Sequence, residues 1–293
     1  MGSFKGHVVP GTLFGLVGLW HLLNSIFNYV KDPKGFRGRV WHPPPAAAAT
    51  VFAHAGLRYM ELYIIIVGSF IDMCLEFFYS THLRFEVDGA LNTAHLNDFE
   101  HAAMLLMFFL FGICVLISET TGWLPLPEGG LFWIASMAFT AEYLLFYFHS
   151  TTHAGLEGSY HEILVVLIGL CILASILIAA YPQSFALDLS AGLALTLQGA
   201  WFYCTAYTLY GPLMPTGCMD KSDTIVCETD TAEKRGQVFA NVQLSVLVVC
   251  LWILVLFTFA IAAHFYGHTE LFYPDAEPNE IDNESNRPEV STL

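Results

Sequence analysis

The chain has 293 residues, of which 55% are hydrophobic and 13% charged, and a mean hydropathy of +0.56. Soluble domains carry roughly 25% charged residues, so the class is an integral membrane protein. The net charge of −15 excludes nucleic acid as a partner, which would select a basic stripe.

Apolar runs of about 20 residues match a hydrocarbon core about 30 Å thick. They occur at about 8–30, 57–80, 98–119, 129–149, 160–182, 187–210 and 238–266. Residues 1–266 are therefore read as one all-α domain, a polytopic seven-transmembrane-helix bundle, with no soluble domain left over. The first run follows Lys5, is too long for a signal-peptide core and lacks a clear cleavage site, so it is read as a retained span. Residues 31–56 and 211–237 are polar linkers. His42-Pro43-Pro44-Pro45 followed by Ala46 to Ala49 reads as extended chain leading into the second span. Residues 267–293 are acidic and rich in Pro and Asn, the composition of a disordered tail.

Seven spans put the termini on opposite sides. Lys31, Lys34, Arg37, Arg39 and Arg58 flank the first long loop, and this cluster marks the cytosolic side. The N-terminus is then lumenal or extracellular and the tail cytosolic, where it offers a docking segment for a cytosolic partner. The sequon Asn283-Glu284-Ser285 falls on the cytosolic side, unused. Of the seven cysteines, Cys74, Cys114, Cys171, Cys204 and Cys250 lie in apolar runs, where a thiol is a small hydrophobe. Cys218 and Cys227 lie in a polar loop facing an oxidising compartment, where a disulfide can form. Composition names neither the organelle, endomembrane or plasma membrane, nor the oligomeric state.

With that threading, one non-cytosolic face receives His7, His82, His95, His101, His149, His153 and His161. Its densest stretch is EYLLFYFHSTTHAGLEGSYHE, residues 142–162. At 100° per residue Glu142, His149 and His153 fall at about 0°, 340° and 20°, forming one stripe, and His161 follows across the turn. The second span has a polar stripe of its own, since Glu61, Asp72 and Glu76 fall at about 0°, 20° and 60°. Carboxylates in a span are costly to insert and face a bundle interior or water. Gln198, an amide in mid-span, needs a partner there, and Asp72 or Glu61 would serve. Trp201, Phe202, Tyr203, Tyr207 and Tyr210 read as part of an aromatic belt.

Neutral imidazole with carboxylate is the ligand set of catalytic zinc and of non-haem iron and manganese sites. The first ligand set to consider is His7, Glu76, His101, His149 and His161, holding a divalent metal with zinc favoured. Glu142 and Asp98 are carboxylates that would orient the imidazoles, and Glu142 is the candidate catalytic base. The competing reading makes the histidines interfacial residues and the carboxylates interhelical hydrogen-bonding groups. Taken one at a time the histidines fit that better, and His82, His95 and His153 stay with it. Haem is set aside because electron transfer across the membrane wants histidine pairs in both leaflets and these crowd one face.

Four blocks, GHVVPGTLFGLVGLWH, EHAAMLLMFFLFG, AEYLLFYFHSTTH and LQGAWFY, resemble the transmembrane protein 45 family, also called the domain of unknown function 716 family. WHPPP, YSTHL, HLNDFEH and LPLPEGG resemble its plant branch. The resemblance covers about residues 1–265 and implies a multi-pass membrane protein of unestablished activity, with plant members associated with responses to viruses and stress. It matches His7, Glu61, Glu76, His101, Glu142, His149 and His161, but His153 and Glu100 do not match cleanly. The leading expectation is metal-assisted hydrolysis of a lipid ester or amide, with membrane lipids as partners. The alternatives are a proton or cation transporter along the carboxylate stripe, which lacks an evident inverted repeat, and a non-catalytic trafficking or receptor-like scaffold.

Overall fold

The computed structural model describes residues 3–44, 57–221 and 224–266. The expectations for Ala46 to Ala49, the sequon and the acidic tail fall outside the described residues. Seven helices are long and apolar enough to cross a membrane. They are α1 (Phe4–Lys31), α2 (Leu57–Ser80), α3 (Leu96–Thr120), α4 (Glu128–Thr152), α5 (Gly155–Ala180), α6 (Phe185–Leu209) and α7 (Asp230–Tyr266).

Several helices start earlier than hydropathy indicates, and for α1 and α7 the cause is polar. Ser3 caps α1 by accepting the Gly6 N–H on its hydroxyl at 3.0 Å, which satisfies one orphan donor. Asp230 and Glu233 occupy the first turn of α7, where acidic side chains favour the positive end of the helix dipole. At 37 residues α7 is about 55 Å long, so it projects beyond a hydrocarbon core of about 30 Å.

The tightest seam in the bundle joins α1 to α6, which run antiparallel. Glycine makes it possible. A Cβ on Gly18 would lie 2.5 Å from the Thr196 backbone nitrogen, one on Gly192 would lie 2.9 Å from Leu22 Cα, and one on Gly199 would strike the Gly15 backbone. Helix pairs in lipid gain no hydrophobic drive from association, so close backbone approach through small residues is what joins them. Packed against this seam are Phe14, Phe202 and Phe146, all buried, with the Phe14 and Phe202 rings stacked at 5.7 Å.

Trp201 and Phe202 correct the belt reading. They are 0% and 2% exposed, and the Trp201 indole N–H donates to the Tyr160 carbonyl at 2.9 Å. A tryptophan near the end of a helix signals an interface only when that face meets lipid, and this face of α6 meets α1, α4 and α5. The apolar side chains that do remain open, such as Phe70, Ile71, Val166, Leu173, Ile253 and Phe257, lie on the outward faces of α2, α5 and α7.

Two short hairpins sit at the same end of the bundle as the start of α1. β1 (Glu86–Val87) pairs antiparallel with β2 (Ala90–Leu91) across Asp88 and Gly89, whose φ angles of 53° and 80° are those an Asp-Gly turn supplies. β3 (Cys218–Asp220) pairs with β4 (Ile225–Cys227), placing Cys218 opposite Cys227, and these two cysteines are disulfide-bonded.

Candidate functional site

The end of the bundle that carries the start of α1 gathers histidines from four helices and two carboxylates from a fifth. α1 brings His7, α2 brings Asp72 and Glu76, α3 brings His101, α4 brings His149, and α5 brings His161. These six line one small cavity together with Gly6, Pro10, Met104, Leu105, Phe146 and Phe202. Its volume is about 20 Å³, which is room for a single water or ion, since one water needs roughly 10–15 Å³.

Local structure aims each group. The last six residues of α2, Leu75–Ser80, leave the α-helical pattern for a π-helix, a rare form that is frequent at functional sites. It carries Glu76, whose Oε2 stands 3.6 Å from His101 Nδ1. Pro10 lies inside α1 and has no N–H to give the Gly6 carbonyl, so the helix edge at the cavity is left with an acceptor. His7 Nδ1 bonds the Ser3 carbonyl at 2.9 Å and His161 Nδ1 bonds the Glu157 carbonyl at 2.8 Å. A carbonyl only accepts, so both rings carry their proton on Nδ1 and keep the Nε2 lone pair. The His7 and His161 ring centroids are 5.7 Å apart, and His149 is 5.3 Å from His161 and 5.5 Å from His101.

His153 belongs to this cluster too. It caps the C-terminus of α4, its Nε2 lies 3.1 Å from His149 Nε2, and its Nδ1 lies 3.3 Å from Glu157 Oε1. Glu157 is 1% exposed. It also accepts the Tyr210 hydroxyl at 2.7 Å and the Ile225 N–H at 3.4 Å, which ties the disulfide hairpin to the histidines. From sequence, His153 stays among the interfacial histidines and Glu157 is not singled out, since one closes a helix and the other opens one, positions where polar residues are ordinary. Glu100 sits at the rim, 3.8 Å from His149 Nδ1. Asp98 bonds His95 at 2.8 Å, away from the cavity.

Glu142 lies elsewhere. It is 0% exposed, about 10 Å along α4 from His149 at 1.5 Å per residue, and its Oε1 accepts from Gln198 Nε2 at 2.6 Å. Gln198 Oε1 in turn lies 3.5 Å from Cys171 Sγ. Gln198 is therefore satisfied by Glu142, and the expectation that Asp72 or Glu61 would serve it is corrected. The stripe angle of Glu142 is right for the histidines, but its depth is that of the bundle centre.

The opposite end of the bundle holds a second cluster. His21 of α1, His42 of the following loop and Asp188 in the first turn of α6 present ligand atoms that all lie within 4.8 Å of one another, a group that can hold a metal ion. Glu61, at the start of α2, is the fourth member. His21 Nδ1 is 3.8 Å from Glu61 Oε1, and the His42 backbone N–H donates to Glu61 Oε2 at 2.5 Å. The reading that histidines crowd a single face is thus corrected: each end has its own set. The signal was present, since Asp188 is a carboxylate within a span and His21 a histidine within one. Glu61, Asp72 and Glu76 share one stripe of α2 but serve different ends.

The profile of a family of unknown function, DUF716, matches residues 128–260. Over these residues the chain is similar to that family. The DUF716 match takes in α4, α5, α6 and most of α7, and so Glu142, His149, His153, Glu157, His161, Asp188 and Gln198. The family carries no assigned chemistry, which leaves function to be argued from the two clusters.

Proposed function

We propose that the cavity at the amino-terminal end binds one divalent metal ion and that the protein is a membrane-surface hydrolase acting on a lipid ester or amide. One observation carries the reading: five helices converge five donor residues, His7, Glu76, His101, His149 and His161, on a void the size of a single ion or water. Fixed Nδ1 protons on His7 and His161 are the tautomers that metal-binding imidazoles need, with the outer nitrogen held by a carbonyl. A bound metal would supply Lewis acidity and bring the pKa of water near neutrality. Asp72 and Glu76 line the same void and are the carboxylates placed to take a proton, a role for which Glu142 lies too deep. Zinc suits a set of imidazoles with carboxylate.

The orientation proposed with it has this end lumenal or extracellular. Support comes from the Cys218–Cys227 disulfide on that face, a bond kept in oxidising compartments, and from the cationic loop at the other end. Metal analysis of the purified full-length protein tests the reading. The expected result is one equivalent of metal lost in the double variant His149→Ala/His161→Ala, together with hydrolysis of a fluorogenic lipid ester or amide. Metal content unchanged in that variant, or no metal in the wild type, would sink it.

A further inference from the structure

The second cluster has features that a simple buried ion-pair network does not need, and we infer that His21, His42 and Asp188 form a distinct binding site for a divalent transition-metal ion. His42 and Asp188 are 0% exposed and His21 is 7% exposed. His21 Nε2, His42 Nε2 and Asp188 Oδ2 each lack a hydrogen-bond partner, and buried polar atoms without partners are uncommon enough in native proteins to need a cause. All three of these orphans belong to one group whose ligand atoms crowd together.

Spacing supplies the cause. His21 Nε2 stands 3.3 Å from Asp188 Oδ1, and His42 Nε2 stands 3.4 Å from Asp188 Oδ2. Charge-assisted hydrogen bonds are shorter, about 2.7–2.9 Å. Ligands about 2.0–2.1 Å from a tetrahedral metal are instead separated by about 3.4 Å along each edge. The two contacts run to different oxygens of Asp188, and with one atom from each residue the three lie within 4.8 Å of one another, close enough to close on one ion.

Groups behind the ligands are arranged the same way. Glu61 stands at the Nδ1 side of His21, and the Asn28 amide lies 3.2 Å from His42 Nδ1. The atom facing His42 is Asn28 Nδ2; metal binding through Nε2 calls for the amide to turn over, so that its oxygen accepts the Nδ1 proton. With the amide so turned, each imidazole would have an oxygen at Nδ1 and its Nε2 directed at Asp188, the pattern of a metal-ligating histidine. Charge agrees: one divalent cation neutralises Asp188 and Glu61 while both imidazoles stay uncharged. The donor set of two imidazoles and one carboxylate suits zinc, iron(II), manganese or cobalt. Three protein ligands leave a position open, and His21 and Glu61 also line a largely apolar cavity of about 110 Å³ from which a small ligand can reach it. The ion would pin the 32–44 loop to α1 and α6, adding to the Trp20 indole bond to the His42 carbonyl at 2.9 Å.

The inference stands independently of the proposed hydrolase site, and the test separates them. Purified full-length protein carrying His149→Ala/His161→Ala, reconstituted in lipid nanodiscs, is titrated with Co²⁺ and followed by its visible d–d absorption. The expected result is one equivalent bound, abolished by His42→Gln or Asp188→Asn. Glu61→Gln should retain the equivalent with affinity weakened about 10–100-fold, the usual cost of losing an outer partner. If the ligand variants do not stay monodisperse, the Glu61→Gln shift and the parent spectrum decide. A monodisperse parent that takes up no Co²⁺, or uptake unchanged by His42→Gln, overturns this site whatever the fate of the other.

Discussion

Substituting Gly18 by Ala tests whether the α1–α6 seam holds the bundle together. The new methyl carbon would meet the Thr196 nitrogen at 2.5 Å and the Leu195 carbonyl carbon and Thr196 Cα at 2.8 Å. All three are backbone atoms, so no rotamer change relieves the clash. Non-bonded carbons prefer about 3.5–4.0 Å, and the helices must therefore part by about 1 Å. Overpacking of this kind costs about 1–3 kcal/mol. Alanine also returns up to about 1 kcal/mol through its better helix propensity, which would blur the result alone. Gly15 supplies the control, because a Cβ there meets nothing within 4 Å and gains the propensity without the clash. Unfolding of both variants in one detergent, followed by the fluorescence of the six tryptophans, should place Gly18→Ala about 1–3 kcal/mol below Gly15→Ala. Equal stability of the two would refute the claim that backbone contact joins α1 and α6.

The bundle centre and the disulfide hairpin give two further tests. Gln198→Leu removes the donor to a Glu142 carboxyl that is wholly buried, which should cost about 1–3 kcal/mol; adding Glu142→Leu should restore part of that loss in the same unfolding assay, and an additive double variant would count against the pair. Cys218→Ser/Cys227→Ser opens a loop of nine-residue separation, worth about 2–3 kcal/mol by chain entropy. Hydrogen exchange should rise in residues 210–229 and at the start of α5, where Glu157 binds Ile225 and Tyr210, while α1 and α6 keep their protection.

Seven spans were legible because about 20 apolar residues in a row have one use in lipid, and the count survives errors at either end. The ends themselves were not. Hydropathy reads composition, whereas Phe4 starts α1 because Ser3 caps it and Asp230 starts α7 because polar turns can stand clear of the bilayer. Five of the residues lining the first cavity were legible as a set, since topology and helical angle place His7, Glu76, His101, His149 and His161 at one depth. Depth within a span was the weaker coordinate: Glu142 has the right angle and the wrong level. The second cluster escaped for a different reason. His42 lies in a loop whose path no periodicity describes, and only folding the 32–44 segment back across α6 brings it to Asp188.

His7 and His21 lie 14 positions apart on α1, about 21 Å along the axis and about 40° around it, so one helix carries a member of each cluster on nearly one face. Through space the clusters interact weakly. Unit charges 21 Å apart are worth about 0.8 kcal/mol at an effective dielectric of 20, or about fourfold in an affinity. Any stronger influence has to be mechanical, and beside α2, which carries Glu61 and Glu76, the α1–α6 seam is a route for it, because α1 and α6 together supply His7, His21, Asp188 and the Phe202 that backs the first cavity. Gly18 and Thr196 touch between the two ends. Parting the helices there should loosen the pairing of His21 with Asp188, now 3.3 Å, while leaving His149 and His153, both on α4, in place. Co²⁺ affinity in Gly18→Ala should therefore fall at the His21–His42–Asp188 site alone. An equal fall at both ends would mean that the bundle moves as one body and that the seam does not divide it.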